Sequence, residues 1–541
     1  MLFSVPSVPP WRKNNIMKQL PIGISTFEEI RTKDCYYVDK TPYVKHLVDQ
    51  GKYYFLSRPR RFGKSLFVDT LKEAFTGNKS LFKELYLEEN WNWDEIHPVI
   101  LISFGGGVVQ SRGELDESIT DRLMETYNHY GLKMNKKRTS AQFRDLIIQL
   151  HKTFNQKVVV LVDEYDKPIL DNISDSDKAA EIREGLKNIY SVIKDSDAYL
   201  EFAFLTGVSK FAKVSLFSGL NNLEDLSLDS FFSAICGYTQ IELETVFFDK
   251  LGGVDLSELK KWYNGYNFLG ELVYNPYDIL LFLKNKLYKN YWFETATPSF
   301  LLKLIRKKKF FIPTLHKLMA TDSLLGNFDI DKIEIETLLF QTGYLTIKET
   351  KYLGHLVQYQ LGYPNYEVKS SLNDSLLSYL TDEFSEKENK KALLYEHLYS
   401  NDMNSLQALF HSFYASIPND WYRKNTLSGY EGYYASIFYC YFAALGLDVT
   451  PEDTTNKGRI DLTLKFEGRV YIFEFKVIEL ISSQGKAIDQ IKTKKYHEKY
   501  INDSDEIYLI GVEFSRETRN IVNFEWERFH HGGTENTEKK Q

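Results

Sequence analysis

Residues 458–476 alternate apolar and polar positions on either side of a two-residue turn, Glu467-Gly468, the pattern of a β-hairpin. With that turn, opposed residues share one sum of residue numbers, and Asp461 faces Glu474. Ile460, Leu462, Leu464, Tyr471, Phe473 and Phe475 then make an apolar face, and Asp461, Thr463, Lys465, Glu474 and Lys476 share the other. A slip of one residue drives the carboxylates into the core, so the pattern specifies the register. Three continuous apolar runs, 52–56, 157–162 and 199–205, read as strands buried on both faces. Leu66, Phe67, Thr70, Leu71 and Phe75 recur at helical spacing, an apolar helix opens near 428 and ends near Leu445-Gly446, and residues 487–500 read as one helix. Residues 225–350 read as mainly helical, with Trp262-Tyr263-Asn264-Gly265-Tyr266 and Tyr274-Asn275-Pro276 as turns.

The hairpin carries chemistry. Opposed residues have Cβ atoms about 5 Å apart. Two carboxylates that close repel unless a cation or a proton lies between them. Lys476 stands two residues beyond Glu474 on the same face. Asp461, Glu474 and Lys476 therefore read as a Mg²⁺ or Mn²⁺ site able to act on phosphate esters, with the lysine orienting water or stabilising charge on the phosphate. A solvated strand face is the competing reading.

A second constellation follows the first strand. The run Ser57-Arg58-Pro59-Arg60-Arg61-Phe62-Gly63-Lys64-Ser65 joins that strand to a helix, the context of a phosphate-binding loop. Backbone N–H groups at the helix start and the helix dipole suit phosphate. Arg61, Gly63, Lys64 and Ser65 are the candidate nucleotide contacts, with Lys64 reaching the β/γ-phosphates and Ser65 holding Mg²⁺. Arg58 replaces the first glycine of the usual pattern. The run ending in Asp163-Glu164 supplies a second Mg²⁺ ligand, Asp163, and a residue to position water, Glu164. Thr206, at the end of the third run, is a candidate γ-phosphate sensor.

Composition bounds the rest. A chain of 541 residues holds two to four domains. Cys35, Cys236 and Cys440 are too far apart for a zinc or disulfide framework and fit a reducing cytoplasm. No apolar run approaches the roughly 18 to 20 residues of a membrane span, and residues 1–15 lack the core of a secretory signal; Met17 is an alternative start. A net charge of −7 gives no global support for nucleic-acid binding, but Lys486, Lys492, Lys494, Lys495 and Lys499 cluster beside the acid pair. A second basic run holds Lys303, Arg306, Lys307, Lys308 and Lys309.

The Asp461, Glu474 and Lys476 hairpin resembles the core of the PD-(D/E)XK nuclease superfamily, with Ile460 where the proline of its name stands. The resemblance implies that Glu431, on the preceding helix, completes the metal shell. It also implies that Gln490, on the following helix, positions the nucleic-acid backbone or the lysine. Leu20-Pro21-Ile22-Gly23-Ile24, Tyr37-Val38-Asp39-Lys40-Thr41, the 57–65 loop and Asp163-Glu164-Tyr165-Asp166-Lys167-Pro168 resemble the prokaryotic AAA-ATPase-like family. Leu205-Thr206-Gly207-Val208, Ser218-Gly219-Leu220-Asn221-Asn222 and the Trp262 turn extend the likeness, which spans roughly residues 18–528. Members carry a PD-(D/E)XK domain at the C-terminus.

The reading is an α/β chain of several domains. A disordered stretch, 1–17, precedes a P-loop NTPase domain of parallel sheet and flanking helices, 18–224. A mainly helical lid or adaptor, 225–350, leads to an α/β nuclease-like domain, 351–529, with its core at 428–526 and a preceding helical joint. A disordered tail follows, 530–541. The expected activity is metal-dependent hydrolysis of nucleic acid, DNA ahead of RNA, in a protein that binds ATP and uses it as a gate. Whether ATP is hydrolysed, and whether the chain forms homo-oligomers, stays open. The alternative is a nucleotide-dependent switch or ATPase whose nuclease-like domain only binds nucleic acid or a protein.

Overall fold

The computed structural model describes residues 18–530 apart from 211–219, 221, 296–298, 309, 327–331, 382–385, 418–430, 480–485 and 505. The expected disordered ends lie outside these residues, except that His530 closes a strand. The start of the expected nuclease core, 428–430, also lies outside them, as do Ser218, Gly219 and Asn221 of one matched motif and Lys309 of the second basic run.

The apolar runs of the N-terminal part become β1 (Tyr53–Ser57), β2 (Val99–Ser103), β3 (Val158–Asp163) and β4 (Leu200–Gly207), with a two-residue β5 (Glu224–Asp225). They form one parallel sheet in the order β2-β3-β4-β1-β5. Every residue of β3 is buried, as a parallel strand covered on both faces requires. Leu56 pairs with Thr206 and Val162 with Leu205, so the C-terminal ends of β1, β4 and β3 lie level. The 57–65 loop and Asp163-Glu164 therefore leave the same edge of the sheet, one strand apart, at the carboxyl end where open α/β sheets bind ligands.

The middle of the chain is mainly helical, and it also carries a small antiparallel sheet. Its strands are β6 (Leu318–Thr321), β7 (Thr346–Leu353) and β8 (Leu356–Gly362), in the order β6-β8-β7. This region packs against the phosphate-binding loop. A Cβ on Gly343 would lie 2.7 Å from Pro59, and Trp292 Nε1 donates to the Arg60 carbonyl at 3.1 Å.

The C-terminal sheet has the order β13-β12-β11-β10-β9, from β9 (Asp448–Thr455), β10 (Gly458–Phe466), β11 (Arg469–Ile478), β12 (Glu506–Ser515) and β13 (Ile521–His530). Only β11 and β12 pair parallel, joined by a crossover that contains the helix Lys486–Lys494. The hairpin turn has φ 49° at Glu467 and 73° at Gly468, both positive as a tight two-residue turn demands. Its register matches the expected sum, with Leu462 opposite Phe473 and Leu464 opposite Tyr471. The regular ladder stops at Leu462, one residue before Asp461.

Two expectations need correction. Ile460 does not share a face with Leu462; it packs with Val470, Ile472, Ile491 and Tyr496, whereas Leu462, Leu464 and Phe473 belong to the main core. The strands flip at Asp461, opposite Glu452, whose φ of 52° is left-handed. Residues 487–500 do not form one helix. It ends at Lys494, Lys495 turns left-handed (φ 50°), and a 3₁₀ turn, Tyr496–Tyr500, follows.

Helix Glu431–Ala444 is apolar on all sides and almost wholly buried, as such a sequence requires. Phe438 and Phe442 meet Phe473 of β11 at ring distances of 5.9 and 5.7 Å, and its other side packs on helix Tyr366–Thr381. Its first residue, Glu431, is thereby held at the sheet.

The Trp262 turn is fixed by Gly265, at φ 117°, where an added Cβ would collide with the Pro364 carbonyl. Backbone strain and a clash with main chain act together there. Gly265→Ala is expected to cost at least about 3 kcal/mol, read as a lowered denaturation midpoint in urea at unchanged slope.

Candidate functional sites

Glycine at position 63, with φ 93°, opens helix Lys64–Phe75. Lys64 is buried and donates to the Arg58 and Pro59 carbonyls, both at 2.9 Å. Burial lowers its pKa, and Asp163 opposes that shift. Arg60 and Arg61 are exposed, and Arg61 lies 5.0 Å from the Tyr277 ring. These arginines, Gly63, Lys64, Ser65 and Glu164 line a cavity of about 450 Å³.

Arg58 has a different task. It is 1% exposed; Nη1 donates to the Ser57 and Ser227 carbonyls, at 2.9 and 2.8 Å, and Nη2 to the Phe232 carbonyl at 2.9 Å. Its guanidinium stacks 3.9 Å from the Phe268 ring centre. Burial lowers its pKa to about 10, so it stays charged at neutral pH. The residue in place of the usual glycine is thus a strut that ties the loop to residues 227–232 rather than a phosphate contact.

Asp163 is buried, and its Oδ1 accepts from the Glu164 N–H at 3.0 Å. Glu164 sits at φ 54°, which turns its carboxylate into the cavity. Asp166 accepts from the Val208 and Ser209 N–H groups, the latter at 2.6 Å, and burial raises its pKa to about 6. Thr206 does not join the cavity lining. Its hydroxyl donates to the Leu56 carbonyl at 2.9 Å, and it is fully buried between β4 and β1. The motif residues Asp39 and Lys40 also act structurally. Asp39 accepts from the Thr41 and Tyr86 N–H groups, and Lys40 pairs with Glu242 at 2.6 Å.

The second site lies where the C-terminal sheet flips. Asp461 Oδ2 accepts from the Phe475 N–H at 2.8 Å, so its side chain takes the place of a ladder bond. Glu474 is 1% exposed. Its Oε1 accepts from Lys476 Nζ at 3.2 Å and from Gln490 Nε2, while its Oε2 is buried with no protein partner. Burial first, and Asp461 next, push the Glu474 carboxyl well above the usual range. Burial likewise raises Glu431 and Asp461, with Lys476 opposing both shifts. Burial works against the Lys476 charge, but Glu474, Glu431 and Asp461 outweigh it and raise its pKa.

Helix Lys486–Lys494 brings Gln490 to this point through two residues that sequence reasoning missed. Glu513 is fully buried and accepts from the Lys486 and Ala487 N–H groups, a carboxylate at the positive end of the helix. Gly511, opposite Glu474 in the ladder, leaves no room for a side chain under Ile488. Glu452 was also missed. It borders the same cavity as Glu431 and Asp461, pairs with Arg459, and is raised by burial. Its Pro-Glu-Asp context on a neighbouring strand was the only signal available. Of the expected basic cluster, Lys492 pairs with Glu527 and Lys499 with Asp453, while Lys486 and Lys494 are exposed.

Among the described residues, no three His, Cys, Asp or Glu side chains form a ready-made metal cage. The donor set still fits a hard divalent cation. Asp461 and Glu431 lie near enough to Glu474 for their charges to raise its pKa, and Glu474 Oε2 is a buried acceptor without a partner among the described residues.

Fold and sites together define a P-loop NTPase-like domain joined to a nuclease-fold domain. A profile of the family described as predicted AAA-ATPase matches residues 21–217, and one of the PD-(D/E)XK nuclease superfamily matches residues 429–524. The "Uncharacterized protein in vnfD 5'region" of Azotobacter chroococcum mcd 1 is 52% identical over 508 residues, which cover 94% of this chain and 98% of that protein. No solved structure matches the chain. The chain belongs to the predicted AAA-ATPase family and carries a PD-(D/E)XK nuclease superfamily domain in its C-terminal part. Among the described residues, no helix is long and apolar enough to cross a membrane.

Arg58→Gly, which restores the usual loop glycine, is expected to weaken the protein rather than improve nucleotide binding. It leaves three carbonyls without their donor and a cavity beside Phe268, at a cost of roughly 3 kcal/mol or more. Thermal unfolding and ATP-binding calorimetry on the purified variant check both halves of the statement.

Proposed function

We propose that this protein binds ATP at the 57–65 loop and hydrolyses nucleic-acid phosphodiesters at the Asp461 site, with the nucleotide as a gate. The observation that carries the nuclease half is Glu474. One oxygen is locked by Lys476 and Gln490, and the other is buried without a partner beside Asp461 and Glu431. Such an arrangement is costly in the empty chain and is relieved by a cation.

In this reading Glu431, Asp461 and Glu474 hold Mg²⁺ or Mn²⁺. When bound, the ion supplies Lewis acidity toward a phosphodiester. Lys476 stabilises the charge that develops on the phosphate, and Gln490 keeps Glu474 from turning away. At the other site Lys64 exchanges its two loop carbonyls for phosphate oxygens, Ser65 and Asp163 hold Mg²⁺, and Glu164 orients water. DNA ranks ahead of RNA as substrate. The gating half rests on Trp292. Its Nε1 donates to the Arg60 carbonyl, and its backbone N–H donates to Glu367 Oε1 at 2.9 Å, at the start of the helix that packs on helix Glu431–Ala444.

The test is cleavage of linear and circular DNA, then RNA, with Mg²⁺ or Mn²⁺ and with or without ATP. Wild type is expected to cleave, EDTA to stop it, and Asp461→Ala to fall to background. Lys476→Ala is expected to lose at least about a hundredfold. Trp292→Phe keeps an aromatic ring, smaller than the indole, but not the donor, and should cleave as wild type without ATP while losing the ATP effect. Binding without cleavage of any substrate would sink the nuclease reading and favour a nucleotide-dependent switch.

A further inference from the structure

The acid site is not built by the nuclease domain alone. Glu431, Asp461 and Arg459 line a cavity of about 820 Å³ to whose wall Thr314, His316 and Lys317 also contribute. That part of the wall comes from the 3₁₀ turn Ile312–His316 and the residue after it, more than a hundred positions before the matched nuclease segment, 429–524. The turn packs directly on helix Glu431–Ala444 and on β9.

This part of the wall is firmly placed. Ile312 and Leu315 are buried, the Lys317 N–H donates to the Thr314 carbonyl at 3.0 Å, and the next residue, Leu318, pairs with Leu361 of β8. The backbone of Lys317 is fixed while its side chain is exposed at the cavity. The other cations of the lining are already committed. Arg459 pairs with Glu452, and Lys499 pairs with Asp453. Burial holds the His316 imidazole below its ordinary pKa, so it adds no charge at neutral pH. Among the described residues, Lys317 has no carboxylate partner, and it lines the same cavity as Glu431 and Asp461, whose charges those two pairs leave unmatched. A polyanionic strand entering that cavity meets carboxylates and needs a cation to offset them.

We propose that Lys317 is a positioning residue for the nuclease site, holding a backbone phosphate of the bound nucleic acid in the cavity it shares with Asp461. The middle region thereby completes the binding site. The inference takes its ligand class from the nuclease reading but does not require cleavage.

The experiment uses the full chain carrying Asp461→Ala, which leaves DNA intact, and measures fluorescence-anisotropy binding of a short labelled DNA over a salt series with Mg²⁺. Adding Lys317→Ala should weaken binding several-fold and reduce the slope of log affinity against log salt by about 0.7 to 0.9. Lys317→Arg should restore both, and the thermal midpoint and ATP affinity should not move, since the side chain is exposed. Equal affinity and slope in Lys317→Ala would overturn the inference, as would a loss that arginine fails to restore, or a parent that binds neither DNA nor RNA. The two readings fail separately. A Lys317 effect on binding in a protein that cleaves nothing supports the inference against the nuclease reading. Metal-dependent cleavage with no Lys317 effect on binding does the reverse.

Discussion

The burial of the Arg58 guanidinium is the constraint around which the nucleotide half is arranged. A charge removed from water must be solvated by the protein, and here three carbonyls and a phenyl face do so. Two of those carbonyls belong to Ser227 and Phe232, so the loop is tied to the chain beyond the sheet. The carbonyl of Arg58 in turn receives Lys64. One buried cation thus presents the acceptor on which a second, functional cation rests. A glycine at position 58 would leave the loop without this tie.

The acid site obeys the same rule with the opposite sign. Asp461 finds a backbone donor, Glu474 is half satisfied by Lys476 and Gln490, and Glu452 is held by Arg459. One buried oxygen, Glu474 Oε2, is left over. An evolved core does not ordinarily retain such an atom, because an unsatisfied buried acceptor costs about 1–3 kcal/mol. Asp278 and Glu367 also keep buried carboxylate oxygens without partners, so it is the combination at Glu474, an unpartnered oxygen beside carboxyls that raise its pKa, that supports the proposed cation site.

Much of this was legible in the sequence because it was local. The turn at Glu467-Gly468 set the hairpin register, continuous apolar runs marked the parallel strands, and Gly63-Lys64-Ser65 and Asp163-Glu164 announced themselves at strand ends. What escaped was set by distant partners. Nothing near Arg58 says that Ser227 and Phe232 will receive it. Thr206 stands where a sensor would, yet its hydroxyl is spent on Leu56 of the neighbouring strand. The flip at Asp461 depends on the left-handed Glu452 opposite, and alternation read along one strand has no means of reporting a distortion imposed by the next. The three-stranded sheet of the middle region was hidden by charge, since β7 is polar and largely open to solvent beyond Ile347.

That middle region is where the two halves meet. It touches the phosphate-binding loop through Trp292 and Gly343, and it touches the acid cavity through the 312–316 turn. Trp292 also donates to Glu367, which is fully buried and opens a helix packed along Glu431–Ala444. Spatial continuity alone does not transmit anything; transmission needs an element with two arrangements, each favoured by a different ligand. For the proposed gating the Arg60 carbonyl is the candidate for such a point. It belongs to the exposed arm of the loop whose neighbours, Arg61 and Gly63, both hold positive φ, and a phosphate bound there would compete with the carbonyls that serve Lys64. A loop that reordered to receive phosphate would change the acceptor presented to Trp292. The contacts beyond it are close-packed aromatic and aliphatic surfaces, and the proposed gating would have to pass through them. On the proposed gating its end point would be Glu431, which opens a buried helix packed against β11 and would share the proposed metal with Asp461 and Glu474.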